Sequence, residues 1–291
     1  MDIFSIKTIK ELLKRQDRKP QKGLGQNFLT SKGVLGDILR AASLKKSDTV
    51  LEIGPGIGTL TRELAQCAKR VIAVEKDSVM VDILKETTKD LPNIKIVHAD
   101  ILKTKLQSLI RLSYSQLNRI KFKVVANLPY YITSPVIRMF LEVPEKQFAS
   151  APELLVLMVQ KEVAQRICAK PPRMSLLAVS VQVYGKPSIV SYVKKGCFWP
   201  QPKVDSAILR IAPLINADRK LINADIFFKI ARAGFKQPRK QLINNLSQEL
   251  KLSRHQIETW LSQVGIQPTQ RAETLSVEDW INLAKDYTME E

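Results

Sequence analysis

Leu51-Glu52-Ile53-Gly54-Pro55-Gly56-Ile57-Gly58-Thr59 reads as a β-strand that runs into a glycine-rich turn and then into a helix. Gly54, Gly56 and Gly58 let the backbone bend sharply and come close to a ligand at the carboxyl edge of a parallel sheet. The spacing is Gly-x-Gly-x-Gly and not the Gly-x-Gly-x-x-Gly that cradles a pyrophosphate, so a dinucleotide is the weaker choice of ligand.

Outward from this turn, short β-branched runs alternate with helical spacing. Strands are predicted over 49–53, 70–75, 94–98, 122–126 and 154–159, with helices over 59–67 and 78–87 between them. That alternation is the pattern of a parallel sheet with crossover helices. Helices over 161–169 and 175–184 follow, and then a late strand pair over 188–193 and 204–211, typical of an added antiparallel edge. Near 213–220 the pattern turns wholly helical, through 226–234, 241–250, 254–264 and 277–287. The expected organisation is an α/β domain over 1–214 and a small all-helical domain over 215–291. At the N-terminus Ile3, Ile6, Ile9, Leu12 and Leu13 recur at helical spacing among Lys10, Lys14 and Arg15. This basic amphipathic helix is suited either to phosphate contact or to docking on the core.

Successive strand ends carry acids. Glu75 closes the second strand, where a carboxylate accepts the hydrogens of ribose hydroxyls, and Asp100 follows the third, where it accepts from an adenine amine. At the end of the fourth strand stands Asn127-Leu128-Pro129-Tyr130. An aniline-like amine is a poor nucleophile because its lone pair is delocalised into the ring. Two acceptors on its N–H groups favour a more tetrahedral nitrogen and oppose the charge that develops as it attacks a sulfonium methyl. The Asn127 side-chain carbonyl and the Leu128 backbone carbonyl suit that task. Pro129 keeps Leu128 extended, and Tyr130 offers a flat face to a base taken out of its stack.

Bulk properties agree with a nucleic-acid substrate. With 46 Lys and Arg against 28 Asp and Glu, the 291-residue chain carries a formal charge of +18, which favours a polyanionic partner. Lys229, Arg232, Lys236, Arg239, Lys240, Lys251 and Arg254 concentrate in the helical segment as a candidate phosphate-binding face. Two histidines and three separated cysteines argue against a metal site and a disulfide framework. No apolar run of about 18 residues occurs. A soluble, cytoplasmic, monomeric protein is expected.

The chain resembles the ribosomal RNA adenine dimethyltransferase family over nearly its whole length. Gly25-Gln26-Asn27-Phe28-Leu29 is similar to that family's N-terminal cofactor motif, and Phe198-Trp199-Pro200-Gln201-Pro202-Lys203-Val204-Asp205-Ser206 to its second substrate-side motif. Segments 234–242 and 271–276 resemble elements of its helical domain. The resemblance implies a Rossmann-like class I methyltransferase sheet, S-adenosyl-L-methionine as cofactor, and 16S rRNA within the small ribosomal subunit as substrate. It places the cofactor against Gln26, Asn27, Leu29, Gly54, Gly56, Glu75, Lys76, Asp100, Ile101 and Asn127. It places the target base among Asn127, Leu128, Pro129 and Tyr130, with Phe198 opposite Tyr130. Lys170-Pro171-Pro172-Arg173 and Pro238 depart from the family's usual residues.

Overall fold

The computed structural model describes residues 2–104, 121–142, 151–214 and 223–287. The expected change of pattern over 213–220 lies largely outside them. Contact grouping gives two units, one of Met1–Ala164 with Ser188–Pro213 and one of Gln165–Pro187 with Leu214–Glu291.

The first unit is built on a seven-stranded sheet of order β4-β3-β2-β5-β6-β9-β7. Its strands are β2 (Thr49–Ile53), β3 (Arg70–Glu75), β4 (Ile94–His98), β5 (Lys123–Asn127), β6 (Leu154–Gln160), β7 (Gly185–Val193) and β9 (Ser206–Pro213). The pairs among β2 to β6 are parallel, and β9 runs antiparallel to β6. β2 and β6 are buried on both faces, as a sheet covered on both sides requires. Helices α2 (Lys32–Ala42) and α3 (Thr59–Cys67) bury Leu35, Ile38, Leu60 and Leu64 against alternate strand residues Val50, Val125, Val156 and Met158. Ser31 caps α2 by accepting from the Val34 N–H, and Asp77 caps α4 (Ser78–Thr88) by accepting from Val79, each satisfying an orphan donor of the first turn. Helix α1 (Ile6–Arg15) docks through Ile9, Leu12 and Leu13 onto Phe28 of the N-terminal segment and onto Met80 and Ile83 of α4.

Besides α2, two further elements were not expected from the sequence. Helix α5 (Thr133–Leu141) follows β5. A two-stranded ribbon pairs β1 (Phe28–Leu29) with β8 (Phe198–Trp199), matching Phe28 to Trp199 and Leu29 to Phe198.

The second unit is helical: α6 (Leu176–Gln182), α7 (Ala224–Gly234), α8 (Leu242–Leu250), α9 (Arg254–Gln263) and α10 (Val277–Asp286). The block expected over 1–214 is therefore interrupted. Residues 165–187 group with the helices because Met174, Ala178, Val179 and Val183 pack with Phe227, Ile230, Trp260 and Trp280. Gly234 lies beneath the Trp280 ring, where a Cβ has no room. The seven basic residues singled out in the helical segment, from Lys229 to Arg254, are exposed. Lys236 pairs with Glu249 at 3.7 Å and Arg254 with Glu258 at 3.3 Å.

Candidate functional site

One cavity lies at the carboxyl ends of β2, β3, β4 and β5. It is lined by the N-terminal segment 24–29, the glycine-rich turn, Glu75 and Lys76, Asp100 and Ile101, and 127–132. Thirteen of the fourteen expected site residues line it. The exception is Phe198, which is 4% exposed and packs in the core with Leu29, Leu35 and Ile208. Its ring serves as a plug fixed by the β1–β8 pairing, not as an open face.

The glycine-rich turn owes its shape to three left-handed residues, Gly54 (φ +65°), Gly56 (φ +56°) and Gly58 (φ +90°). Such φ values strain any residue with a Cβ. The Gly56 N–H donates to Glu75 Oε2 at 3.0 Å, while Glu75 Oε1 accepts from the N–H groups of Lys76 (2.8 Å) and Asp77 (2.9 Å). A carboxylate has about four lone-pair sites, so the one left open belongs to Oε2. Burial raises the Glu75 pKa against the pull of those three N–H groups. Asp100 Oδ1 accepts from the Leu102 N–H at 3.1 Å, and Oδ2 pairs with Lys76 Nζ at 3.0 Å. Burial works against the charge, yet the hydrogen bonds from Lys76 and Leu102 hold Asp100 below the ordinary carboxylate range. Ile101, buried, contributes an apolar wall.

Gln26 acts as a staple. Its Nε2 donates to Asp77 Oδ2 at 3.0 Å and its Oε1 accepts from the Gln21 N–H at 2.9 Å, tying the basic loop to the start of α4. Phe28, stacked on Trp199 at a centroid distance of 6.4 Å, presses on Gly56, where an added Cβ would meet the ring at 3.3 Å.

The group expected to bind the amine is set by the same segment. Asn127 Nδ2 donates to the backbone carbonyl of Asn27 at 3.2 Å. A carbonyl can only accept, which fixes the amide's orientation and leaves Oδ1 as the free acceptor. No hydrogen bond among the described residues takes the Leu128 carbonyl. Pro129 is extended (φ −55°, ψ 129°) and wedged between Gly25 and Gly54, whose added Cβ atoms would stand 3.2 Å and 3.5 Å from its ring. Tyr130 is tethered: its hydroxyl shares a 2.7 Å hydrogen bond with Ser206 Oγ, and burial raises its pKa.

Sequence reasoning passed over three residues of this cluster. Ser206, fully buried, lies in the second substrate-side motif but was given no task. Tyr131, which lines the cavity and is 55% exposed, has no pattern that separates it from Tyr130. Glu52 was legible, since an acid inside a strand buried on both faces is an anomaly. It is 1% exposed and lines the cavity, with Oε2 free of any hydrogen-bond partner.

Two carboxylates, Glu75 and Asp100, thus stand at successive strand ends of the cavity, and a third, Glu52, is buried in its wall. Metal-binding groups of three or more His, Cys, Asp or Glu are absent among the described residues, and no described helix is long and apolar enough to cross a membrane.

Comparison with known proteins agrees with this geometry. Residues 18–289 match the family described as ribosomal RNA adenine dimethylase. The Ribosomal RNA small subunit methyltransferase A of Dehalococcoides mccartyi strain 195 is 48% identical over 279 residues, covering 96% of this chain and 92% of the relative. That of Clostridium botulinum strain Loch Maree is 40% identical over 278 residues, covering 94% and 96%. Among solved structures, a dimethyladenosine transferase from Plasmodium falciparum superposes with a TM-score of 0.73 at 27% identity, covering 88% of this chain and 95% of that one. The 23S rRNA methyltransferase ErmE gives 0.67 at 28%, covering 90% and 100%. The sheet is thus that of the class I methyltransferases, the cofactor is S-adenosyl-L-methionine, and the chain belongs to the ribosomal RNA adenine dimethylase family.

Proposed function

We propose that this chain dimethylates the exocyclic amines of two adjacent adenosines in a hairpin loop near the 3′ end of 16S rRNA, within the small ribosomal subunit and as part of its biogenesis. The observation that carries the reading is the Asn127 amide, held by the Asn27 carbonyl so that its oxygen is the free acceptor.

S-adenosyl-L-methionine supplies a methyl group activated by its positive sulfur. Asn127 Oδ1 and the Leu128 carbonyl accept the two amine hydrogens, draw the nitrogen lone pair out of conjugation and oppose the positive charge that grows on nitrogen. Tyr130, restrained through Ser206, gives the extruded base a face to stack on. No side chain need remove a proton before attack, because the amine proton becomes acidic and departs once the nitrogen bears its new methyl. For the second transfer one N–H remains, and the first methyl turns aside. The N-terminal segment brings Asn27 and Leu29 to the cofactor, and the exposed basic residues of the helical unit serve as its RNA-phosphate face. The protein works in the cytoplasm as a monomer without a metal ion.

Asn127→Ala tests the reading. Loss of one preorganised hydrogen-bonding group costs about 100- to 1000-fold in rate, so dimethyladenosine formed on small-subunit rRNA should fall by that factor with the fold retained. Undiminished formation would remove Asn127 from the chemistry. Mapping dimethyladenosine in RNA from cells with and without the protein separates a small-subunit target from a large-subunit one.

A further inference from the structure

β7 is the outer strand of the sheet beyond β9, and its alternate residues Val190 and Tyr192 are both exposed. Outer strands are commonly blunted with charge, so an apolar pair with an aromatic ring on this one points to something that covers it. Lys161 Nζ lies over the Tyr192 ring at 5.2 Å. Lys194 and Lys195 follow, both exposed, and segment 192–205 sets three lysines, the third being the exposed Lys203, against one acid, Asp205. None of these four lysines is paired with a carboxylate among the described residues. A ring amid unpaired cations matches a polyanion that carries flat bases.

Backbone contacts tie this patch to Tyr130. The pairing of β6 with β9 ends at Gln160 and Ser206. One residue beyond on each strand, the Lys161 N–H donates to the Asp205 carbonyl at 3.0 Å, and the Lys195 N–H donates to Asp205 Oδ1 at 3.0 Å. Ser206, the next residue, holds the Tyr130 hydroxyl at 2.7 Å. Lys161 and Lys195 thus meet beside the residue that fixes Tyr130. A strand whose base is turned onto Tyr130 keeps its flanking nucleotides outside the cavity, and unpaired bases stack on aromatic rings while their phosphates track cations. We propose that Tyr192 and Lys161, with Lys194, Lys195 and Lys203, form a docking platform for an unpaired nucleotide that flanks the methylated adenosine. Its base stacks on the exposed Tyr192 ring and its phosphates lie along the lysines. The inference rests on the RNA-adenine reading above and deepens it by naming where the strand runs outside the cavity.

Fluorescence anisotropy on a small-subunit RNA hairpin with two adjacent adenosines in its loop, free of ribosomal proteins, tests the platform. Tyr192→Ala should weaken binding by on the order of tenfold, the scale of one base stacked on an aromatic ring. Tyr192→Phe keeps the ring and should bind as the wild type does. Lys194→Ala/Lys195→Ala should reduce the slope of log affinity on log salt by about 1.4, at about 0.7 for each single-stranded phosphate contact. Each variant should keep the wild-type Kd for S-adenosyl-L-methionine, which shows the cavity intact. The two lysine side chains are exposed, so that arm decides the case if Tyr192→Ala does not fold. Unchanged RNA affinity in Tyr192→Ala, an equal loss in Tyr192→Phe, or an unaltered salt slope in the lysine variant overturns the proposal. So does a loss seen only with whole small-subunit particles, which would assign the patch to a ribosomal protein. If the wild type forms no dimethyladenosine on such particles, the reading of the reaction falls, and the RNA affinities still decide the platform.

Discussion

Glu52→Gln makes a prediction about the fold, because a buried carboxyl whose pKa is raised by burial links stability to pH. Unfolded, the group titrates near its ordinary 4.5; folded, burial raises it to about 8. A folded pKa above the unfolded one means that the native state holds the proton more tightly. The stabilisation is complete below pH 4.5 and is lost progressively up to about 8. Each pH unit inside that window costs up to about 1.4 kcal/mol. Between pH 6 and pH 9 the wild type therefore loses about 2–3 kcal/mol through this group, and a non-titrating glutamine loses none. Glu75, also raised by burial, titrates in both proteins and cancels to first order. Urea unfolding of both at pH 6, 7, 8 and 9, followed by a probe in the sheet unit, gives the difference directly. The variant should gain on the wild type from pH 6 to 8 and level off toward pH 9. Parallel pH profiles would show that Glu52 is ionised in the folded protein and that its burial carries no electrostatic cost.

Other perturbations separate binding, positioning and packing. Glu75→Ala removes the carboxylate that accepts from Gly56, Lys76 and Asp77 and should raise the Kd for S-adenosyl-L-methionine by at least about tenfold, given about 1.5–3 kcal/mol for a charged hydrogen bond; an unchanged Kd would take it out of the pocket. Ser206→Ala frees the Tyr130 ring, so kcat/KM for RNA should drop about tenfold at unchanged cofactor Kd. Tyr130→Phe should show the same loss and the double variant no more, since both break one bond. Phe198→Ala hollows a packed core and should destabilise the sheet unit by about 3–5 kcal/mol; a stable variant with impaired RNA binding would restore the ring to the substrate.

Elements with strong periodicity were legible. The strands at 49–53, 70–75 and 94–98 and the helix at 59–67 have the bounds read from sequence, because each is a run with a single period and a clear stop. The carboxylates and Asn127 followed, since the carboxyl edge of a parallel sheet fixes where strand ends meet. The ribbon of Phe28–Leu29 with Phe198–Trp199 was not legible: two-residue strands have no period, and their partners are separated by most of the chain. The same lack hid the Tyr130–Ser206 bond. The grouping of 165–187 with the helical unit depends on tertiary contacts of Val179 and Val183, which an apolar pattern does not assign to either core.

Asn127 depends on a segment a hundred positions earlier, and the dependence runs through backbone. Its amide is oriented by the carbonyl of residue 27, which every amino acid supplies, so no substitution at 27 deletes that acceptor. What the Asn27 side chain adds is its own bond, Nδ2 to the Gly25 carbonyl at 3.1 Å, across a turn whose Gly25 is left-handed (φ +62°) and packed on Pro129. The side chain holds the turn, the turn places the carbonyl, and the carbonyl turns the amide. Pro129 closes the circuit, because the proline that aims Leu128 is the one against which Gly25 rests. The two acceptors proposed for the amine are thus positioned by one loop, and an error in its conformation displaces both together. On the proposed reading, that coupling accounts for a cofactor motif lying so close to the base-binding motif.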